Sequence, residues 1–394
     1  MITLADLDFL TSTSGEALLA HLAMCDLSSK NHLALVSQLR KTYSMSQVSS
    51  ALTLAQTRLR AVGKFGDIAH RLFFTPDALE QASDPHIRTY RAKRFDGQIV
   101  TDFCCGVGAD SLALAHFAKQ VIGIDNDPVR IAMARLNADH LAVHHIEFIQ
   151  SDVTMHDLSS GDTFFYDPAR RDDDGGRLFG VEQYLPPLST IRRWDGHFGA
   201  VKLAPGVDLD ELRGYAGHVE FISVMGELKE AVLWLDGSSS PTATRITHGE
   251  IHHWSHSSVL PDEKPLSHPL GWLIEPDPSL IRAGLVQDVA EKWGIFMLDE
   301  TIAYLTGDHH PQNDWARAWK VWDWMPFNLK KLRVYLRERS IGRITVKKRG
   351  SPITPEELIA QTKPKGENAC TVVLTRYLGN PIIIICAEYP DLVV

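Results

Sequence analysis

An α/β fold is what this sequence predicts: a doubly wound parallel sheet, preceded by a helical domain and followed by a small α/β domain. Three observations carry that expectation. Short apolar runs at 99–103, 121–124, 146–149 and 163–166 alternate with helix-spaced stretches at 110–117 and 128–141, an order that sets strands parallel with helices crossing over them. The first of these strands runs into a glycine turn, Cys104-Cys105-Gly106-Val107-Gly108, where backbone can approach a ligand closely. The flanking segments lack this alternation: residues 1–90 repeat apolar positions at helical spacing, and residues 315–394 read as helix, strand, helix and hairpin.

Each element has a local reason. Thr13 and Glu16 are spaced as a capping box, with Leu18, Leu19 and Leu22 recurring on one face behind it. Val48, Leu52, Ala55 and Leu59 mark a second amphipathic helix, fringed by Arg58, Arg60 and Lys64. Thr75 and Pro76 supply an N-cap and a first-turn proline for a helix through Leu79. After the fourth strand, more strands are expected at 200–203, 219–223 and 231–235, so a sheet domain over 91–240 ends at the turn-forming run from Gly237 to Pro241. Residues 241–314 form a mixed, His-rich connecting region in which one helix is legible, from Asp277-Pro278 through Val286 and Val289. In 315–394 a basic helix spans 328–339, a strand 343–348, a helix starts at Thr354-Pro355, and a hairpin of 371–377 with 382–387 turns at Gly379-Asn380.

At 394 residues the chain can build two or three cores, and a formal charge of −9 excludes a uniformly basic surface while leaving room for local patches. The 5 cysteines, Cys25, Cys104, Cys105, Cys370 and Cys386, include no C-x-x-C pair, so neither zinc nor a disulfide framework is expected and a reducing cytoplasm fits. The first ten residues carry acids where a secretory leader needs positive charge, and no apolar run approaches the roughly 20 residues of a membrane span. The expectation is a soluble, cytoplasmic protein with no membrane and no metal partner. His144-His145 and His252-His253 lack acids or cysteines at ligand spacing and read as surface residues. Oligomeric state does not follow from the sequence.

The glycine turn gains meaning from the acids around it. Asp102 ends the first strand, Asp125 the second, 19 residues beyond Gly106, and Asp152 follows the third. A carboxylate at the position of Asp125 accepts hydrogen bonds from ribose hydroxyls in folds of this kind. A nicotinamide-binding chain would carry a third glycine where Ser111 stands, to bring a helix N-terminus to the pyrophosphate. S-adenosylmethionine (SAM) has no phosphate, and its ammonium, ribose and adenine amino group supply donors that Asp102, Asp125 and Asp152 can accept. Cys104, Gly106, Gly108, Asn126 and Val153 flank these acids and complete the expected cofactor contacts. The plainer alternative makes the acids helix caps, the glycines turn residues, and Cys104 and Cys105 small buried side chains rather than nucleophiles.

At the end of the fourth strand lies Asp167-Pro168-Ala169-Arg170-Arg171. Asp167 before a rigid Pro168 can hold a carboxylate or backbone carbonyl against a nitrogen nucleophile, and Arg170 and Arg171 can clamp a phosphate. The alternative is a solvated loop whose arginines pair with Asp172, Asp173 and Asp174. Lys202 to Gly206 ends the fifth strand as a candidate pocket wall, and Lys229 and Glu230 fit either a pocket or a half-buried strand.

The stretch from Phe74-Thr75-Pro76 through DFCCGVGAD and IGIDNDPVRIAMARLNA to IEFIQSD, about 80 residues, resembles the methyltransferase domain of the trimethylguanosine synthase group. That resemblance implies a Rossmann-like SAM methyltransferase sheet, SAM contacts at Asp102, Gly106, Gly108, Asp125 and Asp152, and a segment containing Phe74 and Thr75 closing over the pocket. Asp167-Pro168-Ala169-Arg170 stands where the group carries Ser-Pro-Pro-Trp, so its stacking tryptophan is missing here. The layout with FTPDALEQAS, RAKRF, YDPARR, EPDPSLIRAGL and AYLTGD is similar over nearly the whole chain to a bacterial class I SAM-dependent methyltransferase family with a C-terminal THUMP-like domain, which implies RNA as substrate. Asp-Pro-Ala-Arg is also similar to RNA uridine C5-methyltransferases, but Cys370 and Cys386 do not reproduce their catalytic cysteine setting.

Between Lys330 and Arg349 the basic residues Lys330, Lys331, Arg333, Arg337, Arg339, Arg343, Lys347, Lys348 and Arg349 face one acid, Glu338. Such segregation on an acidic chain is the footprint of a phosphate backbone, and Lys330, Lys331, Arg333, Lys347, Lys348 and Arg349 are the expected RNA contacts. Its alternative is a solvated helix face. Trp315, Trp319, Trp322 and Trp324 read as core packing of an amphipathic segment or as base-stacking groups. The function expected is SAM-dependent methylation of a base nitrogen in tRNA or rRNA, with Asp167, Pro168 and Arg170 as catalytic candidates. Methylation of a small molecule or protein, and a SAM-binding RNA module without catalysis, are the alternatives.

Overall fold

The computed structural model describes residues 2–170, 176, 178–256 and 263–388. The chain divides into two compact units, one formed by Met1–Val219 with Lys229–Ser239 and the other by Glu220–Leu228 with Ser240–Val394.

The first unit opens on helices α1 (Leu4–Leu10), α2 (Thr13–Ala23), α3 (His32–Leu39), α4 (Met45–Phe65), α5 (Pro76–Gln81) and α6 (Pro85–Lys93). Thr3 and Asp6 cap α1 reciprocally, Ser44 and Gln47 do the same for α4, and Thr75 caps α5 ahead of Pro76. In place of the capping box expected at Thr13, α2 has a simple N-cap one residue earlier, at Ser12. Ser12 has the extended backbone, φ −73 and ψ 158, that turns a hydroxyl toward the Gly15 N–H, and Thr13 is already helical. Leu10, Leu22 and Leu54 are fully buried in one core with Phe73, Phe74, Val107 and Met133. Each such side chain contributes roughly 1.5–3 kcal/mol by leaving water. The buried face of α4 runs through Val48, Ala51, Leu54 and Ala61, which rotates Leu59 outward to 60% exposure.

The alternating part follows as β1 (Ile99–Phe103), α7 (Ala109–Leu114), β2 (Gln120–Asp125), α8 (Pro128–His140), β3 (Ile146–Gln150), β4 (Thr163–Tyr166), β5 (Gly199–Leu203), β6 (His218–Val224) and β7 (Glu227–Leu235). In the first unit the strand order is β3-β2-β1-β4-β5-β7, parallel from β3 through β5, with β7 antiparallel to β5. Chain order reverses between β1 and β4. The loops leaving these two strands therefore diverge and open a crevice at their carboxyl ends, the place where such sheets take ligands.

The second unit holds β6 parallel to β8 (Thr242–Thr247), which pairs antiparallel with β9 (Glu250–Ser255). It continues with β10 (Trp272–Pro276), α9 (Pro278–Arg282), α10 (Val286–Trp293), β11 (Phe296–Asp299), β12 (Ile302–Gly307), β13 (Ala316–Pro326), α11 (Leu329–Glu338), β14 (Ile341–Lys348), α12 (Pro355–Thr362), β15 (Asn368–Tyr377) and β16 (Asn380–Cys386). These strands form a seven-stranded sheet, β11-β12-β10-β13-β16-β15-β14. The single helix expected from Asp277 is two, α9 and α10, because Gly284 at φ +74 leaves the helical region between them. The hairpin turns at Leu378-Gly379 rather than Gly379-Asn380. Tyr377 pairs with Asn380, and both central residues have positive φ, +46 and +76, as a two-residue type I′ turn requires. Trp319 is buried and Trp315 packs edge-on to Trp254, whereas Trp322 is 48% exposed.

Candidate active site

The crevice begins where β1 ends. Cys104, Gly106 and Gly108 all take positive φ, +62, +56 and +81, which coils the backbone tightly after the strand. A Cβ on Gly106 would meet no atom within 4 Å, whereas one on Gly108 would press to 3.0 Å from the Phe148 ring. Gly106 thus leaves the backbone open to a ligand, and Gly108 lets the turn pack against its neighbours. Burial, aided by the charges of Asp125 and Asp167, pushes the Cys104 thiol well up, and burial does the same for Cys105, so neither supplies a thiolate.

Three carboxylates follow at consecutive strand ends. Asp102 is 1% exposed and accepts from the Ser111 hydroxyl at 2.5 Å through Oδ2, while its buried Oδ1 has no hydrogen-bond partner. Burial raises its carboxyl well above the ordinary range. An orphan buried acceptor at a strand end suits a donor-rich or cationic ligand group. Asp125 accepts from the Gly106 N–H at 2.9 Å and the Asp127 N–H at 3.0 Å, which ties the second strand end to the glycine turn. Asp152 is exposed and caps a short turn that contains the buried Val153, accepting from the Thr154 N–H at 2.9 Å. Asn126 is exposed beside Asp125.

The Phe74 and Thr75 segment lies against this turn through a residue the sequence reading passed over. Asn137 on α8 accepts from the Phe73 N–H at 2.7 Å and donates to the carbonyls of Phe73 and Val107, at 3.1 and 2.9 Å. Its buried amide satisfies three backbone groups at once; a polar residue on the apolar face of a helix is the only sequence signal of such a clamp. The Phe74 ring is 1% exposed and packs on Phe65 in the helical core, and Thr75 uses its hydroxyl as the α5 cap.

On the other side of the crevice, Asp167 follows β4 and Pro168 is buried. Lys202 on β5 donates to Asp167 Oδ2 at 2.6 Å and to the Gln81 carbonyl at 3.2 Å. Oδ1 of Asp167 has no partner among the described residues. Arg170 is half-buried and its carbonyl accepts from the Leu178 N–H at 2.9 Å, whereas Arg171 and Asp172–Asp174 lie outside the described residues. Beneath this wall Arg91 is 2% exposed and bridges Asp110, at 2.5 Å, and Glu230, with its guanidinium over the Phe165 ring. Burial pushes the Asp110 carboxyl up, but the Arg91 guanidinium together with the charges of Lys202 and Arg88 outweighs it and holds the carboxyl below its ordinary range. Glu230, read from sequence as either a pocket or a strand residue, is the buried partner of Arg91.

In the second unit the basic cluster is divided. Lys330, Lys331, Arg333 and Lys348 are exposed, with Arg333 donating to the Gln361 carbonyl at 2.8 Å. Lys347 and Arg349 instead pair with Glu275, at 2.6 and 3.4 Å, which neutralises part of the excess counted along the sequence.

A methyltransferase-domain family model matches residues 100–165, a THUMP-domain-like model residues 316–388, and a domain model without an assigned function residues 3–61. An S-adenosylmethionine-dependent methyltransferase of Mycobacterium tuberculosis is 33% identical over 335 residues, 81% of this chain and 90% of that one. This chain belongs to the S-adenosylmethionine-dependent methyltransferases. A solved structure described as a methyltransferase, from Porphyromonas gingivalis, shares the fold with a TM-score of 0.68 at 19% identity, over 91% of this chain and 98% of that one. A 23S rRNA (uracil(1939)-C(5))-methyltransferase of Shewanella woodyi is 38% identical over 77 residues, 18% of this chain and 17% of that one. The methyltransferase thus carries a Rossmann-like sheet, N-terminal helices and a C-terminal THUMP-like domain, and SAM is its cofactor. The crevice chemistry fits that cofactor: an open glycine turn, an unsatisfied buried acceptor on Asp102 and acceptors at two further strand ends. Among the described residues no helix is long and apolar enough to cross a membrane.

Proposed function

We propose that this methyltransferase methylates a base nitrogen of RNA, in tRNA or rRNA, at Asp167. The observation that carries the reading is the ion pair that fixes Asp167 Oδ2 on Lys202, with Oδ1 left without a partner among the described residues. A carboxylate held in this way, followed by the Pro168 carbonyl, accepts N–H hydrogen bonds and aims the nitrogen lone pair at a methyl donor. Uracil C5 chemistry needs a cysteine nucleophile instead. Here Cys370 and Cys386 are fully buried with their thiols pushed up to about 11 and about 12, and Cys104 sits inside the glycine turn.

SAM supplies an electrophilic methyl group on a sulfonium centre. Asp102 would meet its ammonium, Asp125 its ribose and Asp152 its adenine amino group, with Gly106 and Gly108 beneath and Cys104, Asn126 and Val153 alongside. The backbone of Phe74 and Thr75 would border the pocket. Asp167 and Pro168 orient the nucleophile, whose displaced proton passes to solvent, and Arg170 neutralises a nearby phosphate. Lys330, Lys331, Arg333 and Lys348 would hold the RNA backbone, supported by the THUMP-like match and the partial similarity to an rRNA methyltransferase.

The test incubates the purified protein with labelled SAM and total RNA, then digests the RNA to nucleosides. Label in an N-methylated base, lost on the order of 100-fold in Asp167→Ala, is the expected result. Label at C5 of uracil would overturn the nitrogen assignment, and label only in protein or small-molecule extracts would overturn RNA as substrate.

A further inference from the structure

We infer that Phe179 stacks on the base that receives the methyl group, so that the enzyme takes a nucleotide turned out of its helix or already unpaired. This rests on the reading of the substrate as RNA. Phe179 is 80% exposed and Leu185 is 50% exposed, both on the segment that returns alongside the Asp167 turn. An isolated surface leucine is ordinary, but a phenylalanine with four-fifths of its surface in water contributes little to folding.

The backbone that carries these side chains is tied down. Ala169 and Leu185 exchange N–H to carbonyl bonds at 2.9 and 3.0 Å, and the Leu178 N–H donates to the Arg170 carbonyl at 2.9 Å. The Tyr166 hydroxyl donates to the Pro186 carbonyl at 2.8 Å, and the Val181 N–H to Glu211 at 2.7 Å. Phe179 is therefore one residue from a bond to Arg170, itself only about 10 Å of chain from Asp167. An exposed aromatic on a segment hydrogen-bonded to the Asp167 turn is placed to receive a planar ligand.

The Asp167-Pro168-Ala169-Arg170 turn offers no aromatic face of its own. The aromatics of the strand that feeds it are committed elsewhere, with Phe164, Phe165 and Tyr166 at most 1% exposed, and Trp194, on a later segment, lies stacked on Phe103 at 3.9 Å. A base held by its Watson–Crick edge against Asp167 needs a partner for its ring face, as enzymes that act on unstacked bases show. Phe179 supplies that face, with Leu185 as an apolar border.

The experiment measures initial rates of methyl transfer to RNA extracted from cells lacking the gene, for wild type, Phe179→Ala, Phe179→Leu and Phe179→Trp. The expected result is a fall in kcat/KM of about 10- to 100-fold for both the alanine and the leucine variants. Phe179→Trp keeps activity near wild type, and SAM affinity and Tm stay unchanged throughout. If wild type is active and Phe179→Leu matches it, the stacking role is wrong while the RNA reading stands. If wild type transfers no methyl to RNA, the RNA reading fails and this inference fails with it.

Discussion

Lys202 on β5 holds its ammonium 2.6 Å from the carboxylate of Asp167, one residue beyond the paired Tyr166 and Val201 of the neighbouring strands. The sheet register fixes this distance, and the lysine stem, 5% exposed, has little freedom to move. The pair converts strand geometry into the aim of one carboxylate.

Lys202→Met should therefore lower kcat on the order of 10- to 100-fold while leaving SAM affinity alone, because Asp167 loses its anchor and not its charge. Steady-state rates beside calorimetry of SAM binding separate the two quantities. An unchanged kcat would remove Lys202 from the site.

Asp125→Ala should abolish measurable SAM binding, since Asp125 both faces the expected ribose position and ties Gly106 to the second strand end. Asp125→Asn keeps an acceptor but loses the charge, and should bind with intermediate affinity. Calorimetry, with circular dichroism to establish folding, checks both; wild-type affinity in the alanine variant would refute the cofactor site.

Asp102 predicts a pH dependence. Its folded-state carboxyl is raised well above the ordinary carboxylate value of 3.8, chiefly by burial, so protonation favours the folded chain. Its contribution to stability is full below pH 3.8 and is lost as pH rises through the raised folded value. Asp102→Asn cannot ionise and should gain in Tm on the ligand-free wild type as pH rises across that window. Parallel Tm curves would contradict this.

Much of the catalytic half was legible because its signals are local. Apolar runs, Gly106 and Gly108, and caps such as Thr75 each constrain only a few neighbouring residues. Residues 241–314 were opaque for a physical reason: β8 and β9 alternate Thr244, Arg245, His252 and His253 among few apolar positions, and Gly284 breaks a helix without a proline to mark it. Long-range pairs left no trace in the sequence. Arg91 meets Glu230 across 139 residues, and Lys347 and Arg349 meet Glu275 across 72 and 74, so the basic patch read along the chain was larger than the free one.

That division changes which lysines to test. Alanine at Lys330, Lys331 and Lys348 together should weaken RNA retention and flatten the salt dependence of binding by roughly 2 in log–log slope. Alanine at Lys347 and Arg349 should chiefly lower Tm, because Glu275 is left half-buried without a partner. Filter binding across a salt series gives the slopes; an unaltered slope in the triple variant would take α11 out of the RNA interface.

Nucleoside mass spectrometry of tRNA and rRNA from cells with the gene deleted tests the proposed chemistry most directly. One N-methylated base should be missing, restored by the wild-type gene and not by Asp167→Ala. An unchanged nucleoside profile, or the loss of a C5-methylated uridine instead, would contradict nitrogen methylation of RNA at this crevice.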